Sequence, residues 1–228
     1  MSKGNTFENE LLLHIFQNAD IANIGDAAGL QNSATAGSLY VALHTADPGE
    51  GGDQTTSEAN YTGYARVAVA RSAGGWTVTN NLVENTAAVT FPACTGGSNT
   101  ITHWSVGVAS SGASKILYKG ALGSSVQGPF TAATDDNITI PGHTLVVDDR
   151  VAFFPAFGSS LPTGITEGTI YWVKTSSTNV ITISTSQGGG TLDITAVGDG
   201  VAIKAAVLAV SSGITPEFAA GAIDITED

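Results

Sequence analysis

The stretch Gly37–Asn81 constrains this chain more than any other. It opens in strict alternation, Ser38-Leu39-Tyr40-Val41-Ala42-Leu43-His44, so Leu39, Val41 and Leu43 face one way and Ser38, Tyr40, Ala42 and His44 the other. A glycine-rich loop, 45–61, follows and carries Asp47, Glu50, Asp53 and Glu58. A second strand returns through Tyr64–Arg71, with Ala65, Val67 and Val69 on the inner face. This pattern is a long hairpin with a decorated tip. Period-two alternation commits the segment to an antiparallel sheet, and an ordered loop of this length in a compact domain is a binding element.

The rest of the chain repeats that texture. Trp76–Val78, Ala87–Phe91, Ile101–Ala109 and Lys115–Ala121 read as short strands separated by Gly/Ser turns, with Trp104, Val106 and Val108 on one face. One helix is expected, over residues 5–18: Asn5 is its N-cap, Glu8 closes a capping box, and Phe7, Leu11, Leu12, Ile15 and Phe16 share a face. Residues 19–36 read as a connecting loop. The fold class is therefore mainly β, an antiparallel β-sandwich with an N-terminal helix.

From Val126 the texture changes. Phe130, Phe153, Phe154, Phe157, Tyr171 and Trp172 fall in one stretch with its own strands, near 137–140, 150–154, 169–175, 180–184 and 201–205. Residues 126–205 read as a small β-barrel domain inserted into a sandwich formed by 1–125 and 206–228. The ends of an insertion lie close together, which predicts that strands 115–121 and 206–210 are neighbours, paired as in a hairpin. A last strand is expected at Ala222–Thr226.

Charge bounds the function. The net charge is −12 and only 12% of residues are charged. Such a surface repels phosphate, so neither nucleic acid nor an anionic membrane is an expected partner. No apolar run approaches the roughly 20 residues of a membrane helix, and Met1–Asn5 shows no secretory pattern, so a cytoplasm-like compartment or a particle assembled there is expected. Cys94 is the only cysteine, which excludes an intrachain disulfide and predicts a buried thiol.

No catalytic or cofactor motif stands out. The spacing in Asp47-Pro48-Gly49-Glu50-Gly51-Gly52-Asp53 does not match the helix-flanked calcium loop, so this loop reads as solvated or partner-facing. His14, His44, His103 and His143 are scattered; His44 and His103 lie on polar strand faces, could meet in space, and read as hydrogen-bonding surface residues. A nucleophile elbow is lacking, and Gly188-Gly189-Gly190 has no strand-then-helix context for phosphate. Trp76, Trp104, Tyr171 and Trp172 are the aromatics that could stack on a sugar, although most aromatics are core.

The runs Gly37-Ser38-Leu39-Tyr40-Val41-Ala42-Leu43-His44-Thr45-Ala46-Asp47-Pro48-Gly49, Tyr61-Thr62-Gly63-Tyr64-Ala65-Arg66-Val67 and Gly213-Ile214-Thr215-Pro216-Glu217-Phe218 resemble a family of small tailed-bacteriophage virion proteins, often labelled tail-fibre or structural proteins. Residues 126–205 are similar to a second module that recurs as an insert in phage structural proteins, through Pro141-Gly142-His143, Asp149-Arg150-Val151-Ala152-Phe153, Leu161-Pro162-Thr163-Gly164 and Gly168-Thr169-Ile170-Tyr171-Trp172-Val173. Thr144 and Asp148 stand where relatives carry Gly.

The resemblance implies a non-enzymatic virion protein with no cofactor. A chain of 228 residues without a shaft repeat favours a capsid decoration (cement) protein, binding the major capsid protein from outside as a homo-oligomer, a trimer. Phe7, Leu11 and Ile15 of the helix and Asp47, Glu50, Asp53 and Glu58 of the loop are the expected partner contacts. The alternative is a tail-associated short fibre or receptor-binding protein whose inserted domain binds host glycan through Tyr171 and Trp172. A glycan-active enzyme is a third reading, which lacks a recognisable carboxylate pair.

Overall fold

Helix α1 (Asn5–Gln17) is the first element, and it begins at the residue expected to cap it. Gly4, in extended conformation, is the N-cap, and no side chain caps the helix. The predicted Asn5 capping box is therefore not formed; Glu8 is instead buried, with its backbone N–H bonded to Gly4 O. The helix ends at Asn18, which takes the left-handed conformation that Asn tolerates. Its inner stripe is Leu12 and Phe16, with Ile15 packed alongside; Phe16 meets Trp76 edge-on at 4.8 Å between ring centroids.

This structure, a computed structural model, describes residues 3–123 and 125–227. The strands before the insertion are β1 (Ser38–His44), β2 (Val67–Ala70), β3 (Trp76–Thr79), β4 (Leu82–Asn85), β5 (Val89–Thr90), β6 (Ser98–Ile101), β7 (His103–Gly107) and β8 (Ile116–Ala121). Next come β9 (Ser125–Ala132), β10 (Ile138–Thr139), β11 (Arg150–Phe154), β12 (Tyr171–Ser176), β13 (Val180–Ser184) and β14 (Gly198–Ala205). The chain closes with β15 (Leu208–Ser211), β16 (Glu217–Phe218) and β17 (Asp224–Thr226).

The central hairpin is present. β1 pairs antiparallel with β2, Val41 opposite Val67 and Ser38 opposite Ala70, and on its other side with β7. With β8 this makes a four-stranded sheet in the order β2-β1-β7-β8. Smaller sheets surround it: β17-β4-β3, β15-β6 and β16-β5. Leu39, Val41, Leu43, Trp76, Val83, Phe91, Ile101, Trp104 and Val106 form their shared core, which also holds Cys94. The long strand predicted at Ile101–Ala109 is broken at Thr102. There the N–H bonds to His44 O at 2.9 Å, and the chain changes sheets, from β15 as partner to β1. Val108 consequently lies beyond the sheet and is exposed.

Strands β9 to β14 close into a six-stranded barrel with a separate core around Phe130, Ile138, Val151, Phe153, Tyr171 and Ile181. The fold is thus mainly antiparallel β with one helix and a small closed barrel. Closure removes the exposed edges that a six-stranded open sheet of this size would leave. Strand β9 escapes sequence reading because it contains Gly128-Pro129. Between Ala202 and Ile203 its register with β14 shifts, so Gln127 is the extra residue of a bulge, beside Gly128 at φ +116°. Where the chain enters and leaves the barrel, Ala206 N–H bonds to Leu122 O at 2.8 Å. The predicted pairing of 115–121 with 206–210 does not occur: β15 pairs with β6, and β8 pairs with β7 alone.

Candidate functional site

The loop 45–61 is held down from beneath by one arginine. Arg66 leaves the end of the loop and turns inward until its side chain is 1% exposed. All its donors are filled. Nε and Nη2 grip both oxygens of Glu58 at 2.6 and 2.8 Å, Nη2 also reaches Gly112 O, and Nη1 bonds to Gln54 Oε1, Ala109 O and Ser114 Oγ. The paired Glu58 carboxylate raises the arginine's pKa against the opposing cost of burial, so the guanidinium stays charged. Tyr64 adds an O–H bond to Glu58 and accepts from Leu43 N–H.

A second chain of bonds runs across the sheet. Gln54 Nε2 donates to Tyr40 O and, at 3.3 Å, to Ser105 Oγ. Ser105 Oγ lies 2.8 Å from His44 Nε2, and His44 Nδ1 lies 2.9 Å from Thr56 O. A carbonyl only accepts, so Nδ1 carries the proton and Nε2 accepts from the serine. The Ser105–His44 pair has the spacing of a nucleophilic dyad, but both residues are fully buried and their bonds are used within the network.

His44 and His103 do meet: they stand opposite each other across β1 and β7. They are not surface residues, however. Both are buried, because the face of β1 that alternation marks as polar is roofed by the loop. His103 Nε2 donates to Gly168 O of the barrel at 2.9 Å, and Nδ1 accepts from Thr102 Oγ1. Burial lowers the pKa of both imidazoles below the ordinary value, against the pull of Glu58 at His44 and of Asp47 at His103. Gly168 also lies against Asp47: a Cβ on it would stand 2.1 Å from Asp47 Oδ2. His103 and Asp47 together form the seat on which this barrel loop rests.

The predicted contact residues divide accordingly. Glu58 and Asp47 face inward, Glu58 to Arg66 and Asp47 to Lys119 at 3.1 Å. They act as intramolecular fastenings; the sequence shows an acidic loop but not the cations that draw it down. At Lys119 burial opposes the charge, but bonds from Asp47 and Glu50 outweigh it and raise the pKa. Asp53 is occupied by its own turn, accepting from Thr55, whose bonds lower the carboxyl pKa. Glu50 touches Lys119 yet is 84% exposed. On the helix, Phe7 is exposed while Leu11 and Ile15 are half-buried. Tyr171 is corrected from sugar platform to barrel core: it packs near Phe153 and its hydroxyl accepts from Thr166 N–H. Trp172 is half-buried and carries the Arg150 guanidinium 4.0 Å over its ring, so that face is already covered. The two residues are not a joint stacking surface, since neighbours on a strand point to opposite sides.

Compared with known protein families, residues 3–148 match the family described as podophage GP4 fiber I protein gp80. The chain belongs to this family. The match covers the helix, the clamped loop of this gp80-family chain, its central sheet and the first two strands of its barrel. Membership makes it a tailed-phage virion structural protein. Among curated proteins no relative matches it. No helix among the described residues is long and apolar enough to cross a membrane.

Proposed function

We propose that this chain is a non-enzymatic attachment component of the virion, a short tail-associated fibre protein or its adaptor, working as a homo-oligomer. The family match supports the fibre reading, since the family is described by a fibre protein. The geometry is consistent with a docking role. Polar groups that resemble reaction machinery are consumed in a sealed network around Arg66, Gln54, Ser105 and His44, which fixes the shape of the loop 45–61 rather than exposing chemistry. A rigid loop loses little entropy when it binds.

Capsid decoration, with the major capsid protein as partner and a trimer at the junctions between its subunits, is the second reading. It is favoured by compact construction: among the described residues the longest strands have eight residues, and the added mass is a closed barrel rather than a shaft. Cryo-electron microscopy of intact particles tests the two. Density for this fold at the tail supports the fibre; density over the whole shell supports decoration; its absence from both removes the virion role.

A further inference from the structure

Strand β8 ends the four-stranded sheet, with β7 as its one partner, and β17 ends the three-stranded sheet. Both border an open cleft of about 700 Å³ between the central sheet, the C-terminal strand and the barrel. The cleft is lined by Tyr118, Lys119, Gly120 and Ala121 in succession and by Asp224, Ile225 and Thr226 in succession. Side chains alternate across a strand, so a cavity lined by consecutive residues looks onto the strand's edge and not onto one face. A second hollow, of about 260 Å³, continues along Ile116–Lys119 beneath Glu50. The whole length of β8 is therefore open on one side.

The register shows which backbone groups are available. Gly120 stands opposite Trp104 and Ala121 opposite His103, and just past the strand Leu122 N–H bonds to Thr102 O at 2.8 Å. Bonded and non-bonded pairs alternate along an antiparallel ladder. Gly120 therefore turns its N–H and C=O toward β7, while Lys119 and Ala121 turn theirs into the cleft. The floor is apolar, formed by Trp104, Phe154, Ile203 and Phe218.

The lip formed by β17 is acidic. Asp224 stands directly opposite Glu84 across β17 and β4, a like-charge pair of the kind that destabilises a sheet. No basic side chain among the described residues forms an ion pair with either. Glu50 borders the adjoining hollow, largely exposed although it touches Lys119 at 3.1 Å. We propose that the free edge of β8 is a strand-addition site for an extended, basic segment of another protein. That segment pairs with the outward backbone groups of Lys119 and Ala121, lays apolar side chains on the floor, and sets Lys or Arg against Asp224, Glu84 and Glu50. A second copy of this chain fits less well, since each copy carries a net charge of −12 and would bring acidic lips together. The inference rests on the reading of the chain as a docking protein and names the chemistry of the docked segment.

The test uses the full chain and a labelled, end-blocked peptide, Lys-Val-Lys-Val-Lys-Val-Lys, read by fluorescence anisotropy and amide hydrogen exchange. Binding is expected with protection at 116–121 and 224–226. Lys119→Pro, which deletes an outward amide at an edge position, should weaken it about tenfold. Lys119→Ala, which keeps the amide, should not, and Asp224→Lys should weaken it. If Lys119→Pro does not fold, the protection map of the unaltered chain decides. No binding, protection elsewhere, equal binding by folded Lys119→Pro, or a dimer of this chain formed through β8 would each overturn the proposal. Those results leave the virion reading intact, whereas absence of the protein from particles removes that reading instead.

Discussion

Arg66 and Glu58 are joined by two parallel bonds, Nε to Oε1 at 2.6 Å and Nη2 to Oε2 at 2.8 Å, at the base of the loop 45–61. The arginine is all but sealed from solvent, so removing it strands a carboxylate and several carbonyls in a poorly solvated place. Arg66→Ala should cost about 3 kcal/mol in urea unfolding. Arg66→Lys should recover little, because an ammonium cannot reproduce the fork. Loss below a few tenths of a kcal/mol would mean that the clamp is unimportant.

Acid should loosen the same sheet. His44 and His103 are held neutral by burial, so their folded pKa values lie below the unfolded value of about 6.5. Between those two values the unfolded chain binds more protons, so stability rises with pH there. Melting temperature should therefore fall as pH drops through 6.5 toward the lowered folded values. The trend should flatten in a chain carrying His44→Asn and His103→Gln. Carboxylates titrate lower, so the difference between the two curves isolates the imidazoles.

The barrel seat gives a third prediction. Gly168 has φ +68° and lies against an aspartate that Lys119 holds in place. Gly168→Ala should cost about 2 kcal/mol from backbone strain and crowding together. Combined with Asp47→Ala, the crowding part should be relieved and the backbone part should remain, which a double-mutant cycle in urea would show as coupling between the sites.

Tyr171→Phe should cost about 1 kcal/mol, the loss of a buried hydroxyl bond to Thr166 N–H. Its effect on any glycan binding should be nil, since the ring belongs to the barrel core. A change in carbohydrate affinity without a change in stability would contradict this placement.

Much of the architecture is legible in the residues. Alternation in Ser38–His44 marks β1 and its buried face, and the aromatic-rich change near Val126 marks the barrel. What is hidden is long-range. The period of β1 marks His44 as polar-facing, but only the loop folding back makes that face interior. Nothing in the spacing of Glu58 and Arg66 shows that the pair turns inward, since Gly112, Ser114 and Ala109 complete the arginine's shell from more than 40 residues away. Strand β9 is masked by its own bulge, and β15 pairs with β6, far earlier in the chain, although the edge of β8 lies nearer in sequence.

The central claim is that this fold serves a virion by docking, as a tail fibre component. Quantitative mass spectrometry of purified particles, scaled to the major capsid protein, tests it most directly. A handful of copies per particle, retained through density-gradient purification, is the predicted result. Complete loss on purification, with the chain found only in the soluble fraction of the lysate, would contradict the account; hundreds of copies would move it from the tail to the shell.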